Sequence, residues 1–323
     1  MIKITDTTLT TIDDHLPSKE DLHRFCYLLQ KIGVDYIEIS VDVYKKMEFL
    51  PDSIKFFLKL DLQQEKGKYP GFYRYVVHQG SNDINVVSRI QVNDIREIIK
   101  LKLYQTRNYI CIVGLDDLIC YEYNETMKDI RSILSRSHII FCPENTYHCA
   151  SALAVQWILN GGNEVMTSFA GHGNKAATEE VILALRLTQR HKPNQDLGNL
   201  PELTALYEQI TGVHIHNNKP ILGENIFKVE AGIHADGILK NPANYEPYDP
   251  KIVGKNRAIV IGKHSGKKAI LLKCEEYGLA LPSEYVLCGM ILKIQEICVK
   301  DRKSFSEEEF ISFVKEVYKD EIK

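Results

Sequence analysis

The residues best suited to chemistry lie in the last third of the chain, where His, Asp and Tyr side chains alternate with glycines. Residues 232–237 place His234 two positions before Asp236, and their glycines allow a backbone to approach a ligand closely. Tyr245 follows, and residues 262–266 form a third polar turn, GKHSG. A histidine close to a tyrosine can act as an acid–base pair. The same pattern is also typical of caps and turns that hold a small subdomain together, so the local pattern leaves both interpretations open.

The first half of the chain is expected to form a regular α/β framework, because it alternates β-rich runs with stretches of helical periodicity. Six runs are predicted as strands, at 3–8, 35–40, 73–79, 109–115, 138–142 and 164–169. A capping box beginning at Ser18 and a glycine at position 33 bound the first predicted helix. Strand–helix alternation predicts a parallel sheet with crossover helices, closed as a TIM-like (β/α) barrel. Because six strands are evident rather than eight, the barrel is expected to be shortened or degenerate.

A turn-rich stretch at 191–200 predicts a boundary between two domains. Residues 1–195 are expected to form the barrel, and residues 196–323 a small mixed and helical C-terminal region. The latter closes with two helical patterns, the second of which begins with a capping box at Ser306.

The composition excludes several classes of function. The chain has 323 residues, a formal net charge of −3 and 26% charged residues, so no basic surplus points to nucleic acid. The N-terminal sequence has no signal-peptide pattern, and no apolar run is long enough to span a bilayer. The eight cysteines are scattered without CxxC pairs, which favours reduced thiols over a zinc or disulfide framework. We therefore expect a soluble, cytoplasmic protein.

The C-terminal motifs resemble, almost position for position, those of the 2-isopropylmalate synthase and homocitrate synthase family. The resemblance is carried by NKPILGENIFKVEAGIHADGILKNPANYE at 218–246, then VGK, then IGKHSG. It covers about residues 135–320, together with Asp-Thr-Thr-Leu at 6–9. The pattern is most similar to the nitrogen-fixation type of homocitrate synthase.

This resemblance implies a metal-dependent barrel followed by C-terminal subdomains, and a Claisen-type condensation of acetyl-CoA with a 2-oxo acid, here 2-oxoglutarate. In the family a divalent cation such as Mg²⁺ or Mn²⁺ polarises the keto carbonyl. A histidine and a tyrosine from the C-terminal region of one protomer take part in proton transfer at the barrel of the other. The matching residues in this chain are His234 and Tyr245.

The barrel half departs from the family pattern where metal and substrate would bind. Thr10 and Thr11 occupy the places of the family's oxyanion-stabilising arginine and metal-binding aspartate. Residues 143–145, Pro-Glu-Asn, stand where the family has His-x-His, and only Asn174 matches a ligand in the following loop. Threonine supplies neither a cationic charge nor a carboxylate, and proline supplies no ligand at all. We therefore predict that this chain binds no metal itself.

The C-terminal region retains the family's motifs, whereas the barrel has lost the family's metal-binding residues. Three hypotheses follow from this difference. In the first, the chain is similar to the omega-type subunit of a two-subunit enzyme, inactive alone, and completes the metal-bearing barrel of an intact homocitrate synthase subunit. In the second it is a non-catalytic pseudoenzyme that stabilises or regulates such a partner. In the third, Asp13, Asp14 and Asn174 rebuild a metal site.

Several other features invite functional interpretations that are weaker. His214 and His216 form a His-x-His pair, but directly before the C-terminal motifs, so an exposed or capping role is expected. Cys142 near His148 is more typical of a buried strand-end thiol than of Cys–His chemistry. Lys175 can meet a phosphate or carboxylate, although lysines beside loops are usually solvated.

Overall fold

The computed structural model describes residues 1–12, 16–61, 64–78, 82–230 and 232–321. The chain forms two compact units. The first, here called the barrel unit, comprises Met1–His216 and Pro220–Leu222. The second, the C-terminal unit, comprises Asn217–Lys219 and Gly223–Lys323. Within the described ranges, no helix has both the length and the apolar character needed to cross a membrane.

The barrel unit contains a closed parallel sheet, which confirms the TIM-like barrel. Its strands within the described residues are β1 (Lys3–Asp6), β2 (Tyr36–Ile39), β3 (Lys55–Leu60), β4 (Arg74–Val77), β5 (Val86–Val92), β6 (Tyr109–Gly114), β7 (His138–Pro143) and β8 (Glu164–Thr167). Each strand pairs with the next in sequence, and β8 pairs with β1, where Thr5 lies opposite Met166. The expectation of a barrel with fewer strands was therefore wrong, because β3 and β5 complete the set of eight.

The shortening inferred from the sequence lies in the crossovers rather than in the strands. The helices of this unit are α1 (Lys19–Ile32), α2 (Val41–Met47), α3 (Tyr123–Ile133), α4 (Ala150–Leu159), α5 (Thr178–Gln189) and α6 (Leu200–Thr211). In the described part of the β3–β4 connection, only a 3₁₀ helix appears, at Lys66–Lys68. The β5–β6 connection holds a longer 3₁₀ helix, Ile95–Tyr104. These connections lack the α-helical periodicity from which a strand–helix unit is recognised.

Helix α1 shows how local sequence sets the ends of these elements. The Ser18 hydroxyl accepts a hydrogen bond from the Asp21 amide at 3.1 Å, so the predicted cap is present. Gly33 ends the helix with φ 118°, a left-handed conformation that glycine adopts without a steric penalty. The helix buries its apolar face, including Phe25 and Leu29, against the barrel unit's core.

Helix α6 decides where the barrel unit ends. It packs against α1, and a salt bridge joins Arg24 to Glu202. Pro201 lies in its first turn, and Gly212 ends it with φ 67°. Because of this packing, the predicted boundary between residues 195 and 196 falls inside the barrel unit, and the division comes after His216.

The C-terminal unit combines a small parallel sheet with helices. Its elements are β9 (Lys228–Val229), α7 (Gly232–Lys240), β10 (Ala258–Ile259), α8 (Lys267–Glu276), α9 (Glu284–Asp301) and α10 (Glu307–Glu321). Buried side chains of α8, α9 and α10, among them Ile270, Ile294 and Phe310, form its core. The predicted capping box is present, since Ser306 and Glu309 exchange side-chain-to-amide hydrogen bonds of 2.9 and 3.2 Å.

Candidate functional site

The C-terminal unit brings His234 and Tyr245 together, as expected for residues that share a task. Their ring centroids are 5.8 Å apart, and the rings are inclined by 55°. His234 lies on α7 and is exposed, and 46% of the Tyr245 surface is also exposed. Gly237 makes room for the tyrosine, because a Cβ at this position would lie 2.3 Å from the Tyr245 hydroxyl oxygen. Both side chains are therefore available to a substrate while their mutual placement is fixed locally.

Glu230 links the segment before α7 to the GKHSG turn before α8. One of its carboxylate oxygens accepts a hydrogen bond from the His264 amide at 2.7 Å, and the other accepts from the Ser304 hydroxyl at 3.3 Å. Its backbone carbonyl accepts from the Ser265 hydroxyl at 3.2 Å. A Cβ at Gly262 would come within 2.4 Å of the Glu230 carboxyl carbon, so glycine is required there.

Further contacts join the two helices that follow these turns. A Cβ added at Gly232 would lie 3.6 Å from the Gly266 amide nitrogen. The N-termini of α7 and α8 therefore lie side by side. Asp236 of α7 forms salt bridges of 2.9 Å with Lys268 of α8 and of 2.8 Å with Lys240. These lysines hold the pKa of the partly buried Asp236 carboxyl below its usual value. The segments that carry the family resemblance thus form one local assembly.

Glu230→Ala should loosen the GKHSG turn without unfolding the barrel. Hydrogen bonds to a charged group contribute about 1.5–3 kcal/mol each, so we expect amide hydrogen exchange at residues 262–266 to accelerate by roughly tenfold or more. Glu230→Gln should show a smaller effect, because its amide oxygen can still accept from the His264 amide. Glu296→Ala, on the exposed face of α9, is the control. Unchanged exchange in Glu230→Ala would contradict the proposed link.

At the barrel mouth, the two threonines that replace family functional residues serve the backbone instead. The Thr10 hydroxyl donates to the Thr7 carbonyl at 2.7 Å, and the Thr11 hydroxyl donates to the Thr8 carbonyl at 3.0 Å. Both hydroxyls thus stabilise the 3₁₀ turn Thr8–Thr10 that follows β1. Neither is a carboxylate or a cation, as the sequence indicated.

The other two family ligand segments bond to each other. The Asn145 amide donates to the Asn174 carbonyl at 2.9 Å, and Glu144 and Lys175 form an antiparallel bridge. Asn174 is exposed and has φ 59°. The Glu144 carboxylate accepts from Gln91 Nε2 at 3.0 Å. The loop after β8 is thereby fastened to the end of β7 through backbone contacts.

These residues do not fit a divalent cation. A Mg²⁺ or Mn²⁺ site needs several converging oxygen or nitrogen ligands. The positions above offer two asparagines, of which Asn145 already accepts from the Ala150 amide through its Oδ1, and a glutamate that is already engaged. In the ranges that the structure describes, no three His, Cys, Asp or Glu side chains are grouped so as to hold a metal ion. Asp13 and Asp14 lie outside the described residues, so a rebuilt site using them with Asn174 stays a hypothesis.

The sequence predicts no functional residue within 40–130, but the structure places Arg89 of this region in a buried ion pair inside the barrel. Arg89 Nη2 of β5 lies 2.9 and 2.7 Å from the two carboxylate oxygens of Glu38 on β2. Glu38 is fully buried, and 10% of the Arg89 side chain is exposed. Burial alone would lower the pKa of Arg89, but the Glu38 carboxylate raises it overall, so the Arg89 guanidinium keeps its charge.

Two weaker candidates have structural roles. His214 is exposed and its Nδ1 lies 2.9 Å from a carboxylate oxygen of Glu208, the residue that also accepts from the Ile215 amide. Of the expected exposed or capping role, the structure confirms the exposure of His214, while Glu208 is the residue that accepts from the backbone. Cys142 is buried at the end of β7, also as expected.

Comparison with known proteins adds independent evidence. Residues 221–301 match the family model "Homocitrate synthase post-HMGL domain-like". The homocitrate synthase omega subunit of Clostridium pasteurianum is 31% identical over 94% of this chain and 91% of that protein. Homocitrate synthase AksA of Methanothermobacter thermautotrophicus is 34% identical over 63% of this chain, which spans only half of that relative's length. The barrel fold is shared with hydroxymethylglutaryl-CoA lyase from Pseudomonas aeruginosa. The two are 15% identical, and the match has a TM-score of 0.53 and covers 66% of this chain and 94% of the lyase chain.

Proposed function

Because this chain belongs to the homocitrate synthase family, we propose that it is one subunit of a split homocitrate synthase that condenses acetyl-CoA with 2-oxoglutarate. The observation that carries the proposal is an asymmetry within the chain. His234 and Tyr245 are kept as an exposed, locally fixed pair, whereas the family's metal-ligand positions hold Thr11, Pro143 and Asn145. Near full-length similarity to an omega subunit supports a role beside a second chain.

In this proposal the two chains divide the chemistry. The partner's intact barrel binds the 2-oxo acid, and the divalent cation held there polarises the keto carbonyl. This chain supplies His234 and Tyr245, whose imidazole and hydroxyl can accept and donate protons as the acetyl methyl group is deprotonated and the new alkoxide forms. Their exposure supports the idea that they act on a substrate bound by another chain. A role in supplying homocitrate for nitrogen fixation belongs to the same proposal.

The test is release of free thiol from acetyl-CoA in the presence of 2-oxoglutarate and Mg²⁺. The reaction is run with this chain alone, with an intact-barrel subunit from the same cell alone, and with both. We expect the mixture to exceed the sum of the separate rates by roughly 10²-fold or more, since each acid–base group contributes about that much. Robust activity of this chain alone would overturn the proposal and direct attention to residues 13–15.

The second candidate, a non-catalytic regulatory partner, is favoured by one observation. All eight strands are retained and closed although the mouth lacks metal ligands in its described part. A barrel kept without catalysis suits a binding or stabilising role. If the two chains form a complex whose rate is unaffected by changes at His234 and Tyr245, this candidate replaces the first.

A further inference from the structure

Three sulfur atoms meet inside the barrel, in a group that the proposed function leaves unused. They belong to Cys111 on β6, Cys142 on β7 and Met166 on β8, and all three side chains are buried in one interior cluster. The Cys111 sulfur lies 3.5 Å from the Met166 sulfur, and the Cys111 and Cys142 thiols are hydrogen-bonded to each other. Continuing the β7–β8 register by one residue places Cys142 beside Met166. The three sulfurs therefore form a closed triangle.

The chemistry of this triangle is that of a soft metal site. Thiolate and thioether sulfurs select Cu(I), whereas hard cations such as Mg²⁺ prefer oxygen. Zn²⁺ suits the set less well, because structural zinc sites take four ligands, from cysteine, histidine or carboxylates. Metal–thiolate bonds are about 2.3 Å long, so three sulfurs in a plane around one ion stand about 4 Å apart. The separation of 3.5 Å between Cys111 and Met166 is close to that value, so an ion would need little rearrangement.

A buried donor beside the triangle has no partner of its own. Arg89 of β5 is paired in register with Cys111, and its Nη2 lies 3.4 Å from the Met166 sulfur. That Nη2 also binds Glu38, but the Arg89 Nε is buried and makes no hydrogen bond within the described residues. Buried polar groups normally have a partner. The Nε–H group is suited to a thiolate sulfur, and donors of this kind orient metal ligands and tune the metal.

The charges around the triangle permit one monovalent cation bound by two thiolates. The principal charges that act on the two thiols are those of Arg89, Lys175 and Glu38. Glu38 pairs with Arg89, and Lys175 donates to Thr7 Oγ1 at 2.8 Å and interacts with the fully buried carboxyl group of Asp6. These four groups sum to zero when Asp6 is ionised and to one positive charge when it is protonated. Two thiolates and one Cu(I) carry a single negative charge, which such surroundings accommodate, and binding releases the two thiol protons.

We propose that Cys111, Cys142 and Met166 form a trigonal binding site for Cu(I) inside the barrel, with the two cysteines as thiolates and the methionine as a neutral third ligand. Cys142 is the next-to-last residue of β7, so the site lies toward the C-terminal end of the barrel, where (β/α) barrels admit ligands. The prediction that this chain binds no metal followed from the loss of ligands for a hard divalent cation. It does not extend to a soft ion held by sulfur.

This inference does not rest on the split-enzyme proposal, and its test uses the full chain alone. The reduced chain is incubated without oxygen with Cu(I) and the coloured competing chelator bathocuproine disulfonate, then separated from the chelator and analysed for copper. We expect the chain to retain a single Cu(I). X-ray absorption should show three sulfur neighbours at about 2.3 Å. Because an ion bound only by the folded state stabilises it, Cu(I) should also raise the midpoint of urea unfolding followed by Trp157 fluorescence.

Variants connect the copper to the three sulfurs. Cys111→Ser and Cys142→Ser should each weaken Cu(I) binding by roughly 100-fold or more, since losing a ligand costs at least as much as losing a residue that orients one. Met166→Leu nearly conserves volume, so it should fold and still bind at least about tenfold more weakly. Cys288→Ser is the matched control, because Cys288 is exposed on α9; its copper content should equal that of the wild type.

Four results would each overturn the proposal. The first is a wild-type chain that loses all its copper to the chelator. The second is full retention by both Cys111→Ser and Cys142→Ser, and the third is loss of copper on Cys288→Ser. The fourth is a sulfur count and an affinity that Met166→Leu leaves unchanged, because the methionine would then not be a ligand.

Discussion

Tyr245→Phe should reduce condensation by the mixed enzyme roughly 10²- to 10⁴-fold, the range expected when a positioned acid–base group is removed. The change deletes only a hydroxyl that is available to substrate, since 46% of the residue is exposed. The ring can keep its place over Gly237 and beside His234. Binding to the intact-barrel subunit and the unfolding temperature of the chain should therefore stay unchanged while kcat falls.

The matched control is Tyr285→Phe on α9, where the tyrosine is 89% exposed and outside the motif assembly. It should leave the rate of the mixture unaltered. His234→Gln should lower kcat to a similar degree, and the double variant should cost little more than either single change if the two residues act as a unit. A mixed enzyme that keeps its full rate with Tyr245→Phe would favour the regulatory interpretation.

The sequence predicted most of the fold because most of its elements carry strong local signals. Strand β6 reads as a continuous apolar run, and α1 begins and ends with recognisable caps. Strands β3 and β5, KFFLKL and VVSRIQV, escaped prediction because the described part of the connection that follows each of them holds a 3₁₀ helix and no α-helix. The pattern that marks a strand–helix repeat is absent from these connections, although both strands pair in parallel with their neighbours.

In the candidate site, too, some contacts could be predicted from the sequence and others could not. His234 and Tyr245 could be paired from sequence because both lie in short motifs within one small unit. Glu38 and Arg89 are 51 residues apart on non-adjacent strands, so their pairing depends on the closure and register of the barrel. Lys175 gave no sequence signal that distinguished it from a solvated loop lysine, and only the fold brings it to Thr7.

Removing one member of the Glu38–Arg89 pair should produce a large loss of stability. Arg89→Met leaves a fully buried carboxylate without its cation, and Glu38→Gln leaves a buried guanidinium without its anion. Breaking a buried ion pair in this way costs about 3–5 kcal/mol. Trp157 is the single tryptophan and lies buried on α4 of the barrel unit, so urea unfolding followed by its fluorescence reports on the barrel itself.

The double variant Glu38→Gln, Arg89→Met separates the cost of an orphaned charge from the net contribution of the pair. Because desolvation of both ions offsets much of their attraction, the double variant should be far more stable than either single one and near the wild type. Lys19→Met is the control, because Lys19 pairs with Glu48 in an exposed salt bridge. This variant should leave the midpoint of urea unfolding unchanged. Single variants that cost less than about 1 kcal/mol would mean that water screens the pair as it does at a surface. The barrel interior would then be hydrated rather than dry, and the unsatisfied Arg89 Nε and Thr5 Oγ1 would be satisfied by that water.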